Sequence, residues 1–126
     1  MDPDDAQAHA NIGTAYKELK LVDIAVEHFQ QSISLAPKNP STHNNLGNMY
    51  KELGQLNSAI ECYKQALALH PGYPEACHNL GSALLLLGKY AEAVASFKQA
   101  FALKPDLNAS RIELAKALQG LKEQQK

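Results

Sequence analysis

The chain lacks most of what enzymes, membrane proteins and disulfide-stapled domains require. Its two cysteines among 126 residues, Cys62 and Cys77, stand 15 apart (77 − 62), form no CxxC, and read as reduced thiols of a cytosolic or nuclear protein. Neither charge is in excess: 12 basic residues face 13 acidic ones, a net charge of −1. That balance supplies no electrostatic reason to expect nucleic acid or an anionic membrane as partner. The longest apolar run, Ala83 to Leu87, is far short of the ~20 residues that cross a bilayer. The opening MDPDDAQAH is acidic and polar, which is not the pattern of a signal or transit peptide. There is no glycine-rich phosphate loop, no GxSxG, and no carboxylate pair with a reason for shifted pKa values. His9 and His43 recur one repeat apart, with Cys77 in the third place, which is not zinc-site spacing. His78 beside Cys77 is no nucleophile pair, because neighbouring helix residues point about 100° apart. No enzyme, metal or cofactor is expected.

What the chain does have is itself, three times over. The segment Asn44 to Pro71, NNLGNMYKELGQLNSAIECYKQALALHP, carries Leu46-Gly47, Tyr50, Ala59, Tyr63, Ala66 and Pro71. Ile12-Gly13, Tyr16, Ala25, Phe29, Ser32 and Pro37 stand at the matching places before it. Leu80-Gly81, Leu84, Ala93, Phe97, Ala100 and Pro105 match after it. The glycines give the period, 47 − 13 = 34 and 81 − 47 = 34. A fixed period of this size marks a repeat array whose core is continuous rather than central.

Each unit reads as two helices. The first unit predicts Ala6 to about Leu19, a turn at Val22-Asp23, and about Ile24 to Ala36. The second predicts about Pro40 to Leu53, a left-handed Gly54, and about Asn57 to Leu69. The third predicts about Pro74 to Leu87, a turn at Gly88, and about Ala91 to Leu103. Glycine inside a helix costs ~1 kcal/mol relative to alanine. Three at one register imply a neighbouring helix so close that a side chain would clash, with Ala25, Ala59 and Ala93 expected across the contact. A seventh helix, about Asn108 to Gln124, puts Leu114-Ala115 and Leu118 in the same register and closes the array with a polar outer side. Pro3 is also in phase, 37 − 3 = 34, so MDPDD reads as the tail of an earlier unit. Ala8, Ile12 and Ala15 would then be partly uncovered, and an uncovered stacking face invites self-association into a homo-oligomer.

These residues resemble the tetratricopeptide repeat pattern, W-x₂-L-G-x₂-Y, then A-x₃-F, then P, across about residues 3–121. Tryptophan is absent; His9, His43 and Cys77 occupy its place. The NLG sub-pattern is most similar to the superhelical arrays of O-GlcNAc transferases and related bacterial and peroxisomal-receptor arrays, without any catalytic domain. The resemblance implies an all-α, right-handed α-solenoid: one domain over 1–126, with repeats about 6–39, 40–73 and 74–107 and a capping helix about 108–124. It also implies a protein or peptide partner in a concave groove.

Turning each first helix about 100° per residue places the groove stripe opposite the packed arc. The groove residues so selected are Asn11, Thr14 and Lys17, then Asn44, Asn45, Asn48 and Lys51, then His78, Asn79, Ser82, Leu85 and Leu86. Asn11, Asn45 and Asn79 recur two places before each glycine; an amide offers an acceptor and two donors, enough to hold an extended backbone of any sequence. The competing reading is that these amides only bond a neighbouring helix. Leu85 and Leu86 would receive an apolar side chain of the ligand or be covered by the last helix. The chaperone-carboxylate clamps of the same family use lysine, asparagine and arginine where this chain has Ala10, Thr14, Glu75 and Asn79, with only Asn45 in common. A carboxylate needs cations there, so that mode is not expected. The alternatives are a self-association module or the targeting arm of a larger enzyme such as a glycosyltransferase.

Overall fold

The computed structural model describes residues 5–126. Pro3, and with it the proposed remnant of an earlier unit, lies outside them. Seven helices follow in order: α1 (Ala6–Glu18), α2 (Val22–Leu35), α3 (Pro40–Glu52), α4 (Leu56–Leu69), α5 (Pro74–Leu86), α6 (Tyr90–Leu103) and α7 (Asn108–Gln124). First helices begin on strong start signals. Asp5 Oδ1 accepts from the Ala8 amide at 3.1 Å, Asn39 Oδ1 accepts from the Ser41 amide at 3.1 Å, and Pro40 and Pro74 sit in the first turn.

First helices end in the same way in each unit. The amides of Leu21, Gln55 and Lys89 each donate at 2.9 Å to the carbonyls of Tyr16, Tyr50 and Leu84, closing a six-residue C-terminal motif. The motif needs a left-handed residue, and Gly54 (φ 75°) and Gly88 (φ 76°) supply it. In the first unit Lys20 takes the same conformation at φ 62° without glycine's freedom. The turn therefore lies at Lys20-Leu21 rather than at the expected Val22-Asp23, and both of those residues belong to α2.

The depth of approach is set by aromatic rings. A Cβ built on Gly13, Gly47 or Gly81 would lie 2.8, 2.6 or 2.8 Å from a ring carbon of Phe29, Tyr63 or Phe97. All three rings are fully buried. The close approach expected at the glycines is present, but what fills it is the aromatic side chain, not the alanine one turn earlier. Ala25, Ala59 and Ala93 are buried as well, elsewhere on the same helices.

Each first helix packs on the second helix of its own unit, and α2, α4 and α6 pack on α3, α5 and α7. First helices also touch in succession, α1 to α3, α3 to α5 and α5 to α7, whereas among the described residues no second helix touches another. The α-solenoid thus bends with its first helices on the inner, concave side. Its apolar interior is a strip: one cluster holds Ala25, Phe29, Leu46 and Met49, another runs from Ala59 to Ala117, and Tyr50 packs against both.

Of the residues that its sequence register suggested, the last helix packs only Leu114 against the core, and the row it buries fully is another one. Ser110 and Ala117 are fully buried, like Ala76 and Ala83 in α5, because this row faces the preceding unit. Ala115 and Leu118 occupy the places that face a unit's own second helix, and with no such helix they are exposed. No second helix follows α7 to carry a ring beneath Ala115, so the glycine is not needed there. Near its end, Gly120 makes room for the Tyr90 ring, which stands where earlier units have Val22 and Leu56.

Three substitutions test these packing and turn contacts in denaturant titrations. Gly47→Val should cost about 1–3 kcal/mol by overpacking against Tyr63, whereas Ala115→Gly should cost only the ~1 kcal/mol of a glycine in an exposed helix. A Gly47→Val protein as stable as its parent would remove the ring from beneath the glycine. Lys20→Gly should stabilise by about 0.5–1 kcal/mol, since relief of the left-handed strain exceeds glycine's added freedom in the unfolded chain. A loss of stability would contradict the turn described.

Candidate groove of the inner helix layer

The inner layer is built from α1, α3, α5 and α7, and the residues selected by helical rotation are buried to different depths on α1, α3 and α5. In α1, Asn11 is exposed and its Oδ1 accepts from Gln7 Nε2 at 2.9 Å. Thr14 is half-buried and donates its hydroxyl to the Ala10 carbonyl at 3.0 Å; Lys17 is half-buried in the last turn. In α3, Asn45, Asn48 and Lys51 are half-buried. Asn44 is not an open groove residue: it is only 6% exposed, and its Oδ1 accepts from Asn79 Nδ2 of α5 at 3.0 Å. Three places before the glycine the helix surface already turns toward the next first helix. Asn48 Oδ1 accepts from the Tyr63 hydroxyl at 2.6 Å.

In α5, His78, Asn79, Ser82 and Leu85 are half-buried and Leu86 is 64% exposed, so α7 does not cover it. His78 Nδ1 pairs with Ser110 Oγ of α7 at 2.8 Å, and the ring tilts against Phe97 with centroids 5.5 Å apart. Burial, reinforced by the nearby Lys51 cation and opposed by Glu113, holds the His78 pKa below its ordinary value. Burial also lowers the Lys51 pKa, against the pull of Glu113 and Glu52. Lys51 of α3, His78 of α5 and Glu113 of α7 thus sense one another across three successive inner helices. Glu113 itself pairs with Lys116 at 3.0 Å.

The contribution of α7 to the groove was missed by the sequence reading. Leu85, Tyr90, Ala115, Lys116, Gln119, Gly120 and Glu123 line a broad pocket of about 560 Å³ at this end. The signal was available, since Lys116 and Gln119 stand one and four places after Ala115, the offsets used for the earlier units. The row that faces the preceding unit, recognised from the sequence only in α1 as Ala8 and Ala15, continues as Thr42 and Met49 in α3 and Ala76 and Ala83 in α5, all four buried.

Thiol chemistry is muted. Burial, with Glu61 nearby, raises the Cys62 pKa to about 11, and burial raises that of Cys77. Among the described residues no three His, Cys, Asp or Glu side chains are grouped to hold a metal ion. No helix among them is long and apolar enough to cross a membrane.

Comparison with known proteins agrees with this architecture. Models of the tetratricopeptide repeat match residues 6–39, 28–61 and 74–107, and a model described as TPR repeat matches 47–88. No curated protein sequence gives a significant match. Among solved structures, the first TPR of Spaghetti (RPAP3), described as bound to HSP90 peptide SRMEEVD, is 25% identical with a TM-score of 0.92 over 97% of each chain. The first TPR domain of human RPAP3 is 25% identical with a TM-score of 0.91, over 98% of this chain and 97% of that one. The Sgt2 TPR domain from Aspergillus fumigatus, 23% identical, shares the fold with a TM-score of 0.89 over 95% of this chain and 81% of that one. Together the four family models span residues 6–107 without a break, and the chain belongs to the tetratricopeptide repeat family.

Proposed function

We propose that the chain is a protein-interaction scaffold, one domain over residues 1–126, whose inner layer grips an extended peptide segment of a partner. The observation that carries this reading is the recurrence of one amide per unit, Asn11, Asn45 and Asn79, on the inner helices at an exposed or half-buried depth. Such amides take both N–H and C=O groups of a backbone, so a ladder of them holds a chain in register whatever its side chains. The peptide described with the similar RPAP3 domain supports the peptide class of ligand. The binding mode differs from capture of a terminal carboxylate: Ala10 and Thr14 carry no charge, and Glu75 is anionic and sits 3.7 Å from Lys104. The open pocket beside Leu85 and the exposed Leu86 suit an apolar side chain of the same peptide. The row of asparagines resembles the asparagine ladders of the arrays of O-GlcNAc transferase type.

A second reading, self-association through the α1 face, is favoured by one observation. Ala15 is exposed and Leu19 is 67% exposed, whereas Met49 and Ala83, in the register of Ala15, are buried under the preceding unit. A second copy seated there would restore that burial.

The peptide reading is tested with a fluorescein-labelled, end-blocked decapeptide pool of randomised sequence. The triple variant Asn11→Ala, Asn45→Ala, Asn79→Ala should bind it at least about tenfold more weakly, given roughly 1 kcal/mol per lost hydrogen bond. Unchanged affinity would dispose of the ladder. For the second reading, sedimentation should report a mass that rises with concentration and falls back in Leu19→Glu; a clean monomer at high concentration would end it.

A further inference from the structure

The ring beneath each glycine is phenylalanine in the outer units and tyrosine in the middle one, and the difference reaches the groove. Tyr63 is fully buried, so its hydroxyl must find a partner inside the protein. It donates to Asn48 Oδ1 at 2.6 Å, passing from beneath Gly47 to the inner face of α3. Burial, with a smaller contribution from Cys62, drives the Tyr63 pKa well above its ordinary value, so the hydroxyl keeps its proton and acts as a donor. If the Asn48 amide were turned over, Nδ2 would face that hydroxyl, and a buried proton would lose its acceptor. The amide therefore keeps Oδ1 inward and Nδ2 turned away from the ring.

The other units provide an internal control. The place of Asn48 is held by Thr14 above Phe29 and by Ser82 above Phe97. Where the ring has no hydroxyl, the residue above it has no amide, and Thr14 spends its own hydroxyl on the Ala10 carbonyl. Amide and ring hydroxyl occur together only in the middle unit. The neighbouring unit has the opposite polarity. Asn79 commits Nδ2 to Asn44 Oδ1 at 3.0 Å, which leaves its Oδ1 as the acceptor for a ligand.

The geometry points to Tyr63 as a positioning residue that holds Asn48 as a hydrogen-bond donor to the groove, so that the middle unit takes a backbone carbonyl of the bound peptide. Asn79, whose Nδ2 is engaged by Asn44, offers its Oδ1 to a backbone N–H one unit further along. A groove wired donor first and acceptor second admits an extended chain in one register and one direction. This inference rests on the peptide reading above.

The test is a double-mutant cycle with the randomised decapeptide pool, read by fluorescence anisotropy. Tyr63→Phe keeps the ring and installs the residue that the outer units already use, so it should fold; thermal melting checks this for every variant. Asn48→Ala should weaken binding about tenfold and Tyr63→Phe about threefold, within the range of a single hydrogen bond. In the Asn48→Ala background Tyr63→Phe should have no further effect, because the hydroxyl acts only through the amide. Asn48→Asp, which still accepts from Tyr63 but has no N–H, should bind as weakly as Asn48→Ala. A Tyr63→Phe effect that is absent, or equal in both backgrounds, would overturn the positioning role. In that case the peptide reading stands so long as the triple asparagine variant still loses affinity. A parent protein that binds none of the pool removes both.

Discussion

Everything in this array depends on an aromatic ring lying where its neighbour has no side chain. The rings of Phe29, Tyr63 and Phe97 occupy the space that a Cβ on Gly13, Gly47 or Gly81 would need. Two helices joined by such a contact come closer than ordinary side-chain packing permits, at one depth in each unit. Dispersion between close-packed atoms and removal of the whole ring from water offset the helix propensity lost at each glycine. The last helix shows the converse. Without a second helix to carry a ring, Ala115 replaces the glycine and the row it belongs to stays open.

From that contact the first helices acquire three distinct sides. One faces the unit's own second helix, one faces the preceding unit, and the remainder faces the concave space. Adjacent residues of the same type therefore meet different fates. Asn44 is buried and bonded across to α5, while its neighbour Asn45, about 100° further round the helix, is half-buried on the inner layer. The equivalent of Asn44 one unit earlier is Ala10, which has no side-chain acceptor, so the Asn79–Asn44 bond has no counterpart from Asn45. The recurring amides Asn11, Asn45 and Asn79 are periodic in sequence but not in hydrogen bonding.

The two ends of the groove differ for the same reason. At the α1 end the residues are small and polar, and their bonds are local, Gln7 to Asn11 and Thr14 to Ala10. At the α7 end, charges and apolar side chains from three helices converge: Lys51, His78 and Glu113 influence one another, and Leu85 and Tyr90 wall a pocket with α7. A closing helix that carries Glu113, Lys116 and Gln119 is part of the inner surface as well as a cover.

The sequence alone determined the period and the helix pairs. Each of these is local: the rotation of about 100° per residue fixes which residues share a face, and the glycine register fixes where helices meet. Helix ends followed too, because prolines at the starts and glycines at φ 75° and 76° are chain-local signals; only Lys20, left-handed without glycine, displaced a turn. What the tertiary structure alone decided was depth and orientation. Asn44 sinks and Asn45 does not, a ring rather than an alanine fills the space at each glycine, and α7 covers the array with Ser110 and Ala117. These depend on partners 15 to 35 residues away, such as Tyr63 for Asn48 and Asn79 for Asn44, and no rotation of a single helix can show which way an amide must turn.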